Sequence, residues 1–166
     1  MFAEPNKFTE QSIGRYRKIF GVGPLGLLIG IFLFGLLSLI DREFGHIPII
    51  GRPGTIRAIG LIFIAIWICW HIWGLKTLRL WIYKNSLCTS GPFRYVRHPL
   101  YAGVSLLGSM GISLTFNSWI MLLLPFLLFS VFSILVRREE KMMYEVFGEK
   151  YVRYANKTGR LFPRIF

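Results

Sequence analysis

The residues best suited to chemistry lie in one stretch, residues 91–103, and in an acid pair further along the chain. The stretch contains two arginines, a histidine and two tyrosines, and it runs directly into a long apolar segment. The acid pair, Glu139 and Glu140, follows the last apolar segment. Such groups can hold a small polar or cationic molecule through charge-assisted hydrogen bonds. A plain connection between two hydrophobic helices needs no such density of directional groups.

Four apolar segments carry these groups: residues 20–40, 56–75, 100–116 and 119–136. Arg57, at one edge, is the one charged residue within them. Each segment is close to the ~20 residues that a helix needs to cross a bilayer core. A water-soluble helical protein would show polar faces at a 3.6-residue period, which the run 122–129 lacks. The sequence therefore predicts an all-α integral membrane protein with four transmembrane helices and no cleaved signal peptide.

The last two segments are joined by Thr-Phe-Asn-Ser at 115–118, which predicts a C-terminal helical hairpin with a tight turn. Because two consecutive spans return the chain to the face it left, residues 98–103 and 137–140 are expected to lie close together. The two polar elements would then form one small-molecule pocket at a membrane face. Each also has a simpler interpretation, with Pro99 as an ordinary helix start and the acids neutralised by neighbouring arginines.

The distribution of charge predicts the topology. The chain has a net charge of +12, and 17 of its 20 Lys and Arg residues fall on the side that holds both termini and the second loop. The positive-inside rule makes that side, with the predicted pocket, cytoplasmic. The same charges favour contact with anionic membrane lipids. Nucleic-acid binding is not indicated, because no basic helix stands apart from the membrane edge.

Several single residues have more than one interpretation. His71, in the second segment, is either a neutral histidine hydrogen-bonded to a neighbouring helix or a residue that lines a polar cavity. Gly26 and Gly30 have the spacing of a helix-packing motif, within the chain or between two copies, so the oligomeric state stays open. Cys69 and Cys88 lie at different membrane depths, and neither has a partner at metal-ligand spacing. We expect neither a disulfide nor a metal.

The remaining segments complete a single membrane domain. Residues 1–84 hold a basic tail, expected on the lipid head groups, and the first two spans; residues 85–166 hold the loop, the hairpin and the C-terminal segment. The second helix is expected to continue past the bilayer through the amphipathic stretch 75–84. After the acid pair, apolar residues at helical spacing predict a cytoplasmic amphipathic helix, along the membrane or over the pocket, that breaks at Gly148.

The order and spacing of motifs in residues 85–163 resemble the isoprenylcysteine carboxyl methyltransferase and phospholipid methyltransferase superfamily. The motifs are Thr-Ser-Gly-Pro-Phe-Arg-Tyr-Val-Arg-His-Pro-Leu-Tyr-Ala-Gly at 89–103, Arg-Glu-Glu at 138–140, Phe-Gly-Glu-Lys-Tyr-Val-Arg-Tyr at 147–154 and Arg-Leu-Phe-Pro at 160–163. The first two spans carry no matching motif. The resemblance implies a multi-pass methyltransferase, of a prokaryotic cell membrane, that uses S-adenosylmethionine and releases S-adenosylhomocysteine.

The resemblance also implies the site residues. The cofactor is expected to contact Leu87, Cys88, Phe93, His98, Pro99, Leu100, Tyr101, Glu139 and Glu140. Methyl transfer from a sulfonium is a direct displacement, so alignment and desolvation can supply most of the catalysis. The candidates for a catalytic role are Arg138 and Glu140, and a general base is needed only for an acceptor that arrives protonated.

The acceptor implied by the resemblance is lipophilic and enters from the bilayer: a prenylcysteine-like carboxylate, a lipid amine or a thiol. Prenylcysteine-specific members are expected to carry an arginine at the position of Leu135, which weakens the first possibility. Two other functions remain. A sterol-type membrane reductase that uses NADPH shares the His-Pro-x-Tyr-x-Gly corner but usually has an acid at the position of Val104. A non-enzymatic membrane scaffold is disfavoured by the intact His98 and Glu139.

Overall fold

The computed structural model describes residues 22–49, 52–83 and 86–164, so the basic tail predicted at residues 1–19 lies outside the described residues. Four helices are long and apolar enough to cross a membrane: α1 (Val22–Glu43), α2 (Pro53–Tyr83), α3 (Pro99–Phe116) and α4 (Leu123–Phe147). The described segments contain no β-strand beyond isolated bridges. The predicted all-α membrane fold with four spans is confirmed.

The helices lie side by side in the order α1, α4, α3, α2, so that α1 packs on α4, and α3 lies between α4 and α2. Gly26 and Gly30 of α1 face the side chains of Phe132 and Leu128 of α4. The glycine motif of α1 therefore serves packing within the chain. In lipid, no hydrophobic force draws helices together. Small residues favour helix packing there because they let the two backbones approach closely.

The central helix, α3, is built from small residues. Ser105, Ser109 and Ser113 are almost fully buried, and each donates a hydrogen bond to the carbonyl oxygen four residues earlier. The hydroxyls are thus satisfied inside their own helix. Gly111 lies against Ile64 of α2 with no room for a side chain. The thinness of α3 lets both flanking helices come close to its backbone.

α3 is not a regular α-helix. Its first turn, Pro99–Ala102, leads into a π-helical segment, Gly103–Gly108, before α-helix resumes at Ser109–Phe116. π turns inside α-helices add one residue and are frequent at functional sites. Added β-carbons on Gly103 and Gly108 would lie within 3.4 Å of the Trp67 ring of α2. The sequence analysis did not predict this segment.

Two helices are longer than a bilayer requires. α2 has 31 residues, which at ~1.5 Å per residue exceeds the ~30 Å bilayer core, so the predicted extension of the second helix is confirmed. α4 also continues without a break to Phe147, where Gly148, at φ 52°, ends it. The predicted amphipathic segment is therefore divided. Its first part prolongs α4, and its second part is a separate helix, α5 (Glu149–Lys157).

The hairpin turn is fixed by a polar cluster at the end of α1. Asn117 adopts the left-handed conformation at φ 53°, which closes the turn between α3 and α4. The neighbouring Ser118 hydroxyl donates to the buried Asp41 carboxylate at 2.5 Å, and His46 Nδ1 lies 2.8 Å from the other carboxylate oxygen. We call this side of the molecule the turn face. The opposite side, which holds residues 86–98 and 148–164, is called the pocket face.

Candidate active site

The loop before α3 is held by hydrogen bonds from three aromatic side chains. It contains a short 3₁₀ turn, Gly91–Arg94, and ends at His98, the residue before α3. Trp81 Nε1 donates to Ser90 Oγ, Tyr154 OH donates to the Phe93 carbonyl at 2.6 Å, and Trp70 Nε1 donates to the Pro99 carbonyl at 2.8 Å. α2 and α5 therefore clamp the polar stretch in place.

A C-terminal strap, residues 158–161, crosses the same corner. The backbone N–H of Arg97 donates to the Gly159 carbonyl at 2.8 Å, and that of His98 donates to the Arg160 carbonyl at 3.1 Å. A β-carbon on Gly159 would overlap the Phe162 carbonyl, so the tight turn requires glycine there. Leu161 anchors the strap in the hydrophobic core. The strap therefore supplies backbone acceptors to the two N–H groups that precede the first turn of α3.

Glu140 joins the strap to the corner. Its carboxylate accepts one hydrogen bond from Arg97 Nε and one from Arg160 Nε, each at 2.8 Å. Arg97 also donates to the carbonyl oxygens of Ala155 and Thr158. The side chains of Arg97 and Glu140 are largely buried. This carboxylate is fully engaged by protein groups, as expected for an acid that holds three chain segments together.

Glu139 has a different environment, although it is adjacent in sequence. It is buried, accepts a hydrogen bond from Tyr101 OH at 2.7 Å, and lies 3.5 Å from His98 Nδ1. His98 Nε2 lies 3.5 Å from Glu140. Burial opposes protonation of His98, but the two carboxylates outweigh it and raise the pKa of the imidazole above its usual value. Stacking of Tyr101 between His98 and Phe132 fixes the ring positions.

These groups surround an open cavity on the pocket face, with about 660 Å³ of empty space that includes its opening to solvent. Its walls come from α2, the loop, α3, α4 and α5. They include seven of the nine residues that the sequence analysis assigned to a cofactor: Cys88, Phe93, His98, Pro99, Leu100, Tyr101 and Glu139. Leu87 does not line the cavity and packs behind it against the cluster of Val146 and Tyr151.

The two proposed catalytic residues do not line this cavity either. Glu140 lies behind it, in the network with Arg97 and Arg160. Arg138 is exposed on α4, because it points nearly opposite to the packed residue Val136 and away from Glu139. The spacing along α4 explains the difference, since neighbouring helical residues point about 100° apart.

Sequence reasoning missed five residues of the cavity wall: Leu78, Arg97, Met143, Tyr151 and Tyr154. The last three lie on the apolar face of the C-terminal segment, so its helical spacing was the signal that could have identified them. Burial raises the pKa of both tyrosines and raises that of Cys88 to about 11, so the thiol stays protonated at neutral pH. Within the described ranges, no group of three His, Cys, Asp or Glu side chains could hold a metal ion.

The fold and the cavity define a four-span membrane protein with a partly enclosed site at one membrane face, lined mostly by apolar residues and a few polar groups. The sequence profile of the phospholipid methyltransferase family matches residues 54–150, and the chain belongs to this family. The family supports membrane methyltransferase as the general activity. The matched region contains α2, although no motif in that helix was recognised from the sequence.

A curated relative is the cobalt-zinc-cadmium resistance protein CzcN of Cupriavidus metallidurans. The two chains are 32% identical over 101 residues, which cover 60% of this chain and 43% of the relative. This chain therefore spans less than half the length of that relative. No solved structure matches the chain.

Proposed function

We propose that the protein transfers a methyl group from S-adenosylmethionine to a lipophilic acceptor that reaches the site from the bilayer. The observation that carries this proposal is the cavity bounded by His98, Tyr101 and Glu139. The walls combine aromatic and aliphatic surface with a few converging polar groups. The family match supports methyl transfer rather than the NADPH-dependent alternative.

Two polar atoms in the cavity wall lack a well-formed hydrogen bond and fit a ligand of this kind. They are His98 Nε2 and Tyr151 OH, which are buried and have only the Glu140 carboxylate nearby, 3.5 Å from His98 Nε2. A buried unsatisfied group costs ~1–3 kcal/mol, so a ligand that offers carboxylate, amino or hydroxyl groups gains by pairing with them. Glu139 supplies negative charge toward a cationic ligand, and Phe93 supplies aromatic surface suited to a sulfonium. The cofactor brings the activated methyl group, and these side chains would bind and orient it.

The chain's residues are suited to alignment more than to proton transfer. Glu140 is held by Arg97 and Arg160, which favours a structural role for this acid. Leu135 packs against the hydrophobic core, so no arginine stands where a prenylcysteine carboxylate would be expected to bind. The proposed acceptor is therefore a lipid or small molecule with a neutral nucleophilic head. Catalysis would come from placing that head in line with the methyl group and excluding water.

Calorimetric titration of the detergent-solubilised protein with S-adenosylmethionine and S-adenosylhomocysteine tests the cofactor. We expect saturable binding. The affinity should fall at least tenfold in Glu139→Gln, because the loss of one charge-assisted hydrogen bond reduces the binding free energy by about that much. Glu145→Gln, an exposed position on the same helix, is the matched control and should bind normally. Transfer of radiolabelled methyl groups into extracted lipid pools then tests the acceptor. Folded protein that binds neither compound would contradict the proposal.

A further inference from the structure

Besides the two atoms in the cavity wall that lack a well-formed hydrogen bond, two more lie deeper in the membrane part of the molecule. Trp67 Nε1 and His71 Nδ1 are both buried, and neither has a hydrogen-bond partner. Across the described ranges these four are the only buried side-chain nitrogen or oxygen atoms without a well-formed hydrogen bond. The Nδ1 atom of His71 therefore makes no hydrogen bond to a neighbouring helix. Unpaired polar groups inside a bilayer are costly and are usually functional.

Trp67 and His71 lie on the helix face that leads to the cavity. Three- and four-residue spacing along α2 places Trp67, His71, Gly74 and Leu78 on one face. Leu78 lines the cavity, and the position of a β-carbon on Gly74 lies 2.7 Å from Leu100, another cavity residue. At ~1.5 Å per residue, His71 is therefore about 10 Å deeper in the membrane than Leu78.

The polar groups near Trp67 and His71 already make hydrogen bonds elsewhere. The Trp67 and His71 rings lie 5.7 Å apart, and Trp67 packs on the π-helical segment of α3. The serines of α3 already donate to their own helix, and Trp70 already donates to Pro99. Both side chains of the pair are partly exposed, although their two polar atoms are buried. We infer that a molecule dissolved in the bilayer reaches these atoms when the side chains move.

We propose that Trp67 and His71 bind the uncharged polar head of a bilayer-dissolved amphiphile of the alcohol, thiol or neutral amine class. Building on the proposed function, this amphiphile is the methyl acceptor, held on the bilayer side of the cofactor cavity. Trp67 can only donate, while His71 Nδ1 donates or accepts depending on its tautomer. A hydroxyl-like head matches both groups. A carboxylate or a quaternary ammonium does not, because no opposite charge is present to offset its desolvation.

Nuclear magnetic resonance of the five tryptophan indole N–H groups tests this site directly. The full chain, labelled with ¹⁵N-tryptophan in lipid nanodiscs, is titrated with 1-dodecanol, with dodecanoate and dodecyltrimethylammonium as charged comparators of equal tail length. Single Trp→Phe variants assign the signals. We expect 1-dodecanol to shift the Trp67 signal saturably. The Trp70 and Trp81 signals should move at least fivefold less, since both indoles are already hydrogen-bonded.

His71→Phe should weaken the 1-dodecanol titration at least tenfold, while Ile72→Phe, on the exposed side of α2, should leave it unchanged. The site is contradicted if Trp67 responds no more than Trp70 and Trp81, if the charged comparators act equally, or if His71→Phe has no effect. Cofactor binding is measured separately. If 1-dodecanol binds but S-adenosylmethionine does not, the amphiphile site stands and the proposed methyl transfer fails.

Discussion

At the scale of single residues, the acid pair shows how adjacent side chains take different tasks. Glu140 is saturated by two arginines and joins the strap to the corner. Glu139, about 100° further round the helix, faces the cavity and pairs with Tyr101 and His98. The sequence alone led to the prediction that both acids bind the cofactor. Two adjacent glutamates are chemically identical, so the sequence does not tell which of them faces the cavity.

Replacing Glu140 with Gln should destabilise the protein strongly. The change leaves Arg97, whose side chain is largely buried, without its counter-charge. Removal of one partner of a buried ion pair costs ~3–5 kcal/mol. We expect a clearly lower melting temperature in detergent, measured with a fluorescent dye that does not react with cysteine thiols. Glu145→Gln on the exposed side of α4 should melt like the wild type; equal melting of all three proteins would rule out the structural role.

The pH dependence of stability should report the charge on His98. Its pKa is raised in the folded state, so it stabilises the fold fully below the unfolded value near ~6.5. This contribution disappears as the pH rises through the folded pKa. The melting temperature of the wild type should therefore fall relative to His98→Gln as the pH rises above about 6.5. A constant difference between the two proteins across that window would show that His98 does not titrate there.

At the scale of helices, close packing of α1 on α4 depends on one glycine. A β-carbon at Gly26 would lie 2.4 Å from a ring carbon of Phe132, whereas one at Gly35 would meet nothing within 4 Å. α1 therefore packs on α4 through the face that holds Gly26, whereas Gly35 lies on the opposite face of the helix. Phe132 in turn stacks on Tyr101, so this contact supports the cavity wall.

Gly26→Val should destabilise the protein by ~1–3 kcal/mol through overpacking, and Gly35→Val should have almost no effect. The melting temperatures of the two variants, which add the same side chain to the same helix, give the comparison. In a Phe132→Ala background, Gly26→Val should destabilise less than it does in the wild type, because the opposing ring is gone. If both valine variants melt alike, α1 does not pack on Phe132 as described.

The helices were predictable and their irregularities were not. Apolar segments of bilayer length identified all four spans, and the Asn-Ser turn correctly placed Glu139 beside the corner at His98. The π-helical segment at Gly103–Gly108 was missed, because glycines permit a change of helical register without specifying it. The pairing of residues 158–161 with the backbone of Arg97 was also missed, since backbone hydrogen bonds leave no side-chain pattern in the sequence.

At the scale of the whole molecule, the two faces differ in chemistry. The turn face is tied by Asp41, His46 and Ser118, while the pocket face carries the loop, the strap, α5 and most of the described cations. Consecutive helices α1 and α2 lie at opposite ends of the row. The cavity therefore depends on α2, α3 and α4, and α1 acts through its support of Phe132.

The topology predicted from charge can be tested with single cysteines. Phe44 on the turn face and Lys157 on the pocket face are both exposed. In intact bacterial cells, a membrane-impermeant maleimide should label Phe44→Cys at once and Lys157→Cys only after lysis. The wild type should stay unlabelled, because Cys88 is buried and Cys69 faces lipid. The reverse pattern would place the cavity outside the cytoplasm.

The strap also has a consequence for how the protein is made. During translation, Arg97 and His98 leave the ribosome long before residues 158–161, which supply the carbonyl oxygens that their backbone N–H groups bind. All four membrane helices can therefore be synthesised and inserted while the corner still lacks its partners. The cavity is among the last parts of the chain to be completed, and a nascent chain stopped before residue 158 would hold the spans but not the finished site.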